Sequence, residues 1–166
     1  MNQKVKWGVL GYARIAKNSV IPALNQAGNS EFYALASRDQ AKLEECRSQF
    51  NPSKLYDSYQ GLLDDPQVQA VYIPLPNSLH KEWAIKAMNQ GKHVLCEKPL
   101  ALTADECEAM MTAAAKNQVL LMEAFMYRYT DRTKKVQEIL ASGEIGAIKH
   151  LNSTFRFFLD RANTIK

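Results

Sequence analysis

Through the first 125 residues, short apolar runs alternate with longer stretches in which apolar positions recur every three or four residues. The runs V-K-W-G-V-L, F-Y-A-L-A-S, A-V-Y-I-P and H-V-L-C are rich in β-branched and aromatic residues. They predict strands at 5–10, 32–37, 70–74 and 93–96, with further strands at 119–124 and, more weakly patterned, at 55–56. The helical spacing between them predicts helices at 14–27, 40–50, 59–63, 79–90 and 104–117. Gly28 and Gly91 follow two of these helices, where a left-handed residue costs glycine least. Thr103 and Glu106 form a T-x-x-E capping box at the start of another. Asn77 or Ser78 is placed to cap the helix beginning at Leu79.

Such regular alternation implies parallel strands joined by right-handed crossovers, which is an α/β fold with a doubly wound parallel sheet. V-Y-I-P and H-V-L-C, apolar throughout, fit strands buried on both faces. Residues 1–125 are expected to form this first domain. Beyond Tyr129 the pattern changes: D-R-T-K-K-V-Q-E-I-L-A-S-G suits an amphipathic helix, and the residues from Ala147 to Phe158 begin an alternating strand. Residues 126–166 are therefore expected to start a second unit, in which that strand has no visible partner.

Composition narrows the class without changing this picture. The 166 residues are 46% hydrophobic and 23% charged, an ordinary globular balance that argues against disorder. No apolar run reaches the length of a membrane span, and M-N-Q-K-V-K-W lacks a secretory apolar core, so a cytoplasmic location and no membrane partner are expected. The net charge of +4 is uneven. Residues 1 to 127 carry 13 basic and 13 acidic side chains, and residues 128 to 166 carry 8 and 4. The basic residues of that tail are scattered among apolar ones, which argues against a nucleic-acid partner. Cys46, Cys96 and Cys107 show no C-x-x-C spacing, and His80, His93 and His150 lack ligand spacing, so neither disulfides nor a metal site are expected.

In a doubly wound sheet, ligands bind outside the carboxyl ends of the strands, so the loops there are where chemistry is sought. After the first strand, Gly11, Ala13 and Ala16 overlay the G-x-G-x-x-G/A dinucleotide fingerprint, with alanine in place of the second glycine. Arg14 and Ile15 belong to the same helix N-terminus, whose free N–H groups suit a pyrophosphate. Ser37 and Arg38 end the second strand, and a hydroxyl followed by a guanidinium suits the 2′-phosphate of NADP. Two alternatives stay open there: Asp39 keeps NAD in play, and Ser37 would serve equally as a helix cap beside a solvated Arg38. Pro74, Leu75, Asn77 and His80 shape a wall for the cofactor after the fourth strand, or a rigid connection that binds nothing. Glu97 and Lys98 follow the fifth strand on the same edge, and Pro99 restricts the backbone of Lys98. Desolvation there would tune the lysine for proton transfer. Glu123 and Arg128 are the polar members of the late M-E-A-F-M-Y-R-Y stretch.

W-G-V-L-G-Y-A-R-I-A, P-L-P-N-S-L-H, G-K-H-V-L-C-E-K-P-L-A-L-T and M-E-A-F-M-Y-R-Y together resemble the glucose-fructose oxidoreductase and inositol dehydrogenase (Gfo/Idh/MocA) family. The last stretch is most similar to the branch of dihydrodiol and D-xylose dehydrogenases. That resemblance implies that residues 1–125 are the dinucleotide-binding (Rossmann) domain of an NAD(P)-dependent oxidoreductase, NADP preferred, acting on a hydroxyl of a sugar, cyclitol or related diol. It implies that Lys98 orients substrate beside the nicotinamide and assists proton transfer. It also implies that residues 126–166 are the incomplete start of an α+β substrate and dimerisation domain, commonly used to form a homodimer or higher homo-oligomer, that supplies a second acid/base residue. This chain is thus expected to be a fragment or truncated product that lacks turnover by itself. A non-catalytic dinucleotide-binding or assembly module is the alternative. There is no Tyr-x-x-x-Lys pair and no G-x-x-x-x-G-K-[ST] loop, which sets aside two other nucleotide-binding frameworks.

Overall fold

A computed structural model describes residues 4–158 of the chain. It divides into two compact units, Met1–Phe125 and Met126–Lys166. In the first, six parallel strands form one sheet in the order β3-β2-β1-β4-β5-β6. The strands are β1 (Val5–Leu10), β2 (Ser30–Ala36), β3 (Lys54–Tyr56), β4 (Ala70–Ile73), β5 (His93–Cys96) and β6 (Leu121–Glu123). The order reverses direction between β1 and β4, which opens a crevice over their carboxyl ends.

Alternation along the central strands explains why the sheet is covered twice. Leu10, Ala34, Ala36, Val71 and Ile73 bury themselves under α3 (Tyr59–Asp64), α4 (His80–Asn89) and α5 (Ala104–Asn117). Their neighbours Val9, Leu35 and Tyr72 pack with Ile21 of α1 (Ile21–Gln26) and with Leu43 and Cys46 of α2 (Gln40–Phe50). Side chains on a strand point alternately to the two faces, so apolar residues at consecutive positions require two covering layers.

The helices at 40–50 and 104–117 and the strands at 5–10 and 93–96 have the expected bounds. Elsewhere, local chemistry moved the ends. The expected helix at 14–27 contains a π turn at Ala16–Val20, in which the Ile21 amide reaches back five residues to the Ala16 carbonyl. Pro22 accounts for it: proline has no N–H to offer the Asn18 carbonyl and its ring crowds that carbonyl, so the helix widens just before it. That helix ends on Ala27 in an extended conformation, and Gly28 is not left-handed; Gly91, at φ +72°, is. Neither Asn77 nor Ser78 caps α4. A 3-10 turn, Asn77–Leu79, follows the extended Pro76 instead, and α4 begins at His80. At α5 the Thr103 hydroxyl accepts from the Glu106 amide (3.3 Å), while the Glu106 carboxylate accepts from the amide of Leu102 (3.0 Å), one residue earlier than a strict capping box would have it.

In the second unit, a 3-10 turn at Met126–Tyr129 precedes α6 (Asp131–Ser142), capped by Thr130 and ended by left-handed Gly143. The expected strand from Ala147 to Phe158 does not form: these residues carry no regular secondary structure, with Leu151, Phe155 and Phe158 exposed. A strand exists through its ladder of hydrogen bonds, and the described sheet pairs only β1 to β6 with one another. The rest of the expected second domain, residues 159–166, lies outside the described residues.

Candidate functional site

The loops after β1, β2, β4 and β5 meet along one edge of the sheet. At the first, Gly11 adopts φ +94°, a conformation that L side chains rarely take. A Cβ on Gly11 would lie 3.0 Å from Leu75 Cδ2 and 3.6 Å from the Tyr59 hydroxyl, so the turn sits tightly between two neighbouring loops. The Gly11 amide is tied to the Ala36 carbonyl at 2.8 Å. Helical backbone begins at Arg14, with the Lys17 amide bonding to the Ala13 carbonyl (3.0 Å). The amides of Arg14, Ile15 and Ala16 therefore precede the first helical donor, Lys17, and point out of the helix end. Arg14 and Ile15 are exposed, and Ala16 is buried where the helix meets the sheet.

At the end of β2 the division of labour is resolved. Asp39 caps α2, its Oδ1 accepting from the amides of Ala41 (3.0 Å) and Lys42 (3.4 Å). Ser37 does not cap the helix; it is 5% exposed and its hydroxyl oxygen accepts from the Asp39 amide (3.2 Å), which leaves its O–H proton for another acceptor. Arg38 is exposed, with its guanidinium 5.7 Å from the centre of the Tyr59 ring. Tyr59 in turn packs edge-on against Trp83 at 5.0 Å. Tyr59 thus links the exposed Arg38 to the buried Gly11 turn.

The loop after β4 does more than form a wall. Pro74 and Leu75 are buried and Asn77 is exposed. His80 is fully buried beneath the loop, its Nε2 2.8 Å from the Leu75 carbonyl oxygen and its Nδ1 2.9 Å from the Pro99 carbonyl oxygen. Both partners are acceptors, so a ring with one proton donates to one of them and a ring with two donates to both. The position of His80 is that of a strut between two loops rather than a lining of the crevice.

Lys98 is exposed at the end of β5, and its peptide bond to Pro99 is cis. Its neighbours are each held from a different element. The buried Tyr72 hydroxyl of β4 donates to Glu97 Oε1 (2.6 Å), and the amide of Lys98 itself donates to Glu97 Oε2 (3.3 Å). His80 of α4 holds Pro99, and Glu123 of β6 accepts from the amide of Leu100 (2.8 Å). Among the described residues the Lys98 ammonium has no ion pair. A fixed backbone carrying an uncommitted ammonium is suited to meeting an oxygen of a bound molecule. Burial raises the Tyr72 phenol well above its usual range, and the bond to Glu97 adds to the effect. The Cys96 thiol beside this cluster is pushed up to about 12, first by burial and then by Glu97 and Glu123. Arg128 is exposed in the second unit, in the turn Met126–Tyr129.

No group of three His, Cys, Asp or Glu side chains among the described residues could hold a metal ion, and no described helix is long and apolar enough to cross a membrane.

Residues 5–125 match the oxidoreductase family described as having an NAD-binding Rossmann fold, Gfo/Idh/MocA. The chain belongs to that family. Among its Gfo/Idh/MocA relatives, a D-xylose 1-dehydrogenase (NADP(+)) from Haloferax volcanii is 45% identical over 161 residues, covering 96% of this chain and 49% of the relative. A dTDP-3,4-didehydro-2,6-dideoxy-α-D-glucose 3-reductase from Saccharopolyspora spinosa is 38% identical, over 93% of this chain and 46% of its own. Among solved structures, a variant of a 3-ketoreductase from Actinomadura kijaniata, in complex with TDP-benzene and NADP, superposes with a TM-score of 0.80 at 36% identity. That superposition covers 89% of this chain and 45% of the ketoreductase. The chain spans about half the length of these Gfo/Idh/MocA proteins.

Sequence reasoning missed two residues that shape the site, Tyr72 and Tyr59. Tyr72 was legible only as one apolar position of V-Y-I-P; the signal that sets it apart is a hydroxyl in a strand otherwise free of polar side chains.

Proposed function

We propose that this chain binds NADP along the carboxyl edge of its sheet and forms the cofactor-binding half of an oxidoreductase acting on a hydroxyl of a sugar, cyclitol or related diol. The observation that carries the reading is the alignment, on one edge, of a positive-φ glycine before a helix N-terminus, the Ser37–Arg38 pair and the tethered Lys98. The residues suit the cofactor: Gly11, at positive φ and tight against Leu75 and Tyr59, makes the turn that leads into the helix, and the amides of Arg14, Ile15 and Ala16 would hold the pyrophosphate. Ser37 would donate to the 2′-phosphate and Arg38 would neutralise it. With β1 and β2 on one side of the crevice and β4 and β5 on the other, the nicotinamide half falls beside Pro74, Glu97 and Lys98. The bound cofactor supplies the hydride acceptor or donor. Lys98 Nζ would hold the substrate oxygen and take or give the proton at that atom. The NADP named for the xylose dehydrogenase and the ketoreductase supports the same choice of cofactor. A cytoplasmic homo-oligomer, with the substrate bound by chain beyond this domain, belongs to the same reading.

The test is a titration of the chain with NADPH and NADH. NADPH should bind at least about tenfold more tightly, the gain from one charge-assisted hydrogen bond; equal affinities would refute the choice of NADP. In the protein at its native full length, Lys98→Met should keep NADPH affinity within about threefold and lower turnover about a hundred- to ten-thousandfold. Unchanged turnover would remove Lys98 from the chemistry.

A further inference from the structure

Tyr72 sits in the middle of β4, between the buried Val71 and Ile73, and its side chain enters the apolar cluster of Val9, Tyr12, Ala16, Ile21 and Leu35. Phenylalanine would fill that space equally well. A buried hydroxyl is costly unless it is bonded, so its presence needs a partner, and that partner is Glu97 Oε1 at 2.6 Å. The register explains the reach. Tyr72 pairs with Leu95 of β5, and Glu97, two residues on, lies on the same face of the sheet as Leu95. The bond therefore crosses from one strand to the loop of the next, on the face where the first helix begins.

We infer that Tyr72 is a positioning residue for the nicotinamide half of the crevice, acting through Glu97; this rests on the cofactor reading above. One carboxylate oxygen of Glu97 is held by the Tyr72 hydroxyl and the other accepts from the amide of Lys98. A carboxylate oxygen has two acceptor sites, so each keeps one after these bonds. A nicotinamide carboxamide carries N–H donors that match them. Without the phenol, the three-bond side chain of Glu97 must be ordered at the moment of binding, and the affinity of the nicotinamide half falls by that ordering cost. The hydrogen bonds from Tyr72 and Lys98 to Glu97 join β4 to the loop after β5, whereas the adenosine half would lie over β1 and β2.

The experiment titrates this chain, as wild type, Tyr72→Phe, Glu97→Gln and the double variant, with NADPH and with adenosine 2′,5′-bisphosphate, which lacks the nicotinamide. A thermal melt of each accompanies it. Tyr72→Phe is expected to weaken NADPH about three- to tenfold while leaving the bisphosphate within about twofold and the melt within a few degrees. In the Glu97→Gln background, Tyr72→Phe should add little, because both changes remove one shared arrangement. Equal weakening of both ligands by Tyr72→Phe would show a merely structural side chain and overturn the inference. So would unchanged NADPH affinity beside wild-type-like binding of the bisphosphate, or full additivity of the two changes. Should Tyr72→Phe not fold, Glu97→Gln alone must produce the same split between the two ligands, and its absence overturns the inference equally. Failure of the wild type to bind NADPH would overturn the cofactor reading and this inference with it, an outcome distinct from the others.

Discussion

Replacing Arg38 by alanine isolates the contribution of a single guanidinium to the choice between NADP and NAD. Arg38 is exposed and lies 5.7 Å from the centre of the Tyr59 ring. At an exposed site that cation–π contact contributes about 0.5–1 kcal/mol, so its loss moves the fold's stability only slightly. A charge-assisted bond to a 2′-phosphate contributes roughly 1.5–3 kcal/mol, or about ten- to a hundredfold in affinity. Ser37 keeps its own O–H in the variant, because its oxygen is held by the Asp39 amide and not by Arg38. NADPH binding should therefore weaken about ten- to a hundredfold without vanishing, while NADH, whose ribose offers no charge, changes by less than about twofold. The wild-type preference should also shrink with added salt, since an exposed ion pair is screened over about 10 Å at 0.1 M ionic strength. Calorimetric titration of both proteins with both cofactors at low and high salt provides the measurement. If Arg38→Ala weakened NADPH and NADH equally, the guanidinium would be serving a part of the cofactor common to both, and the assignment to the 2′-phosphate would fail.

Two further outcomes follow from burial. The Cys46 and Cys96 thiols, ordinarily near 9.0, and the Tyr12 phenol, ordinarily near 10.0, are each pushed up to about 12, in every case first by burial. The folded chain keeps protons that the unfolded chain releases, so this contribution is intact below pH 9 and is lost as pH rises toward 12. The thermal midpoint should fall steadily between about pH 9 and pH 11, and a flat profile would contradict the shifts. Hydrogen exchange should be fast at residues 147–158, which are unpaired and exposed, and slow in β1, β4 and β5. Protection of 147–158 would mean that the chain had acquired a sheet partner, for instance a second copy.

Much of the first unit could be read from periodicity because its central strands are buried on both faces and its helices are amphipathic, so pattern and packing agree. The Lys98 loop was legible for a similar reason: strand, charge and proline follow one another without a gap. What escaped was which partner each polar side chain takes. That Asp39 takes the helix cap and frees Ser37 depends on backbone angles at β2's end, which composition does not encode. His80 read as part of a cofactor wall or of a rigid connection, and it is consumed by the carbonyls of Leu75 and Pro99, 5 and 19 residues away in sequence. The π turn was visible in principle, since Pro22 stands inside the expected helix. The strand after Ala147 was misread because alternation records a willingness to pair, and pairing also requires a neighbour.

The tethers around Lys98 bear on how portable that lysine is. Its flanking residues are held by Tyr72 from β4, His80 from α4 and Glu123 from β6. Grafting a lysine onto the fifth strand of another doubly wound protein would transplant the charge without the scaffold that aims it. A useful transplant must move Glu97, Pro99 and their three distant supports as one cassette, spread over some fifty residues of chain between Tyr72 and Glu123. For protein engineering, the smallest exchangeable part is the half-sheet and not the tripeptide.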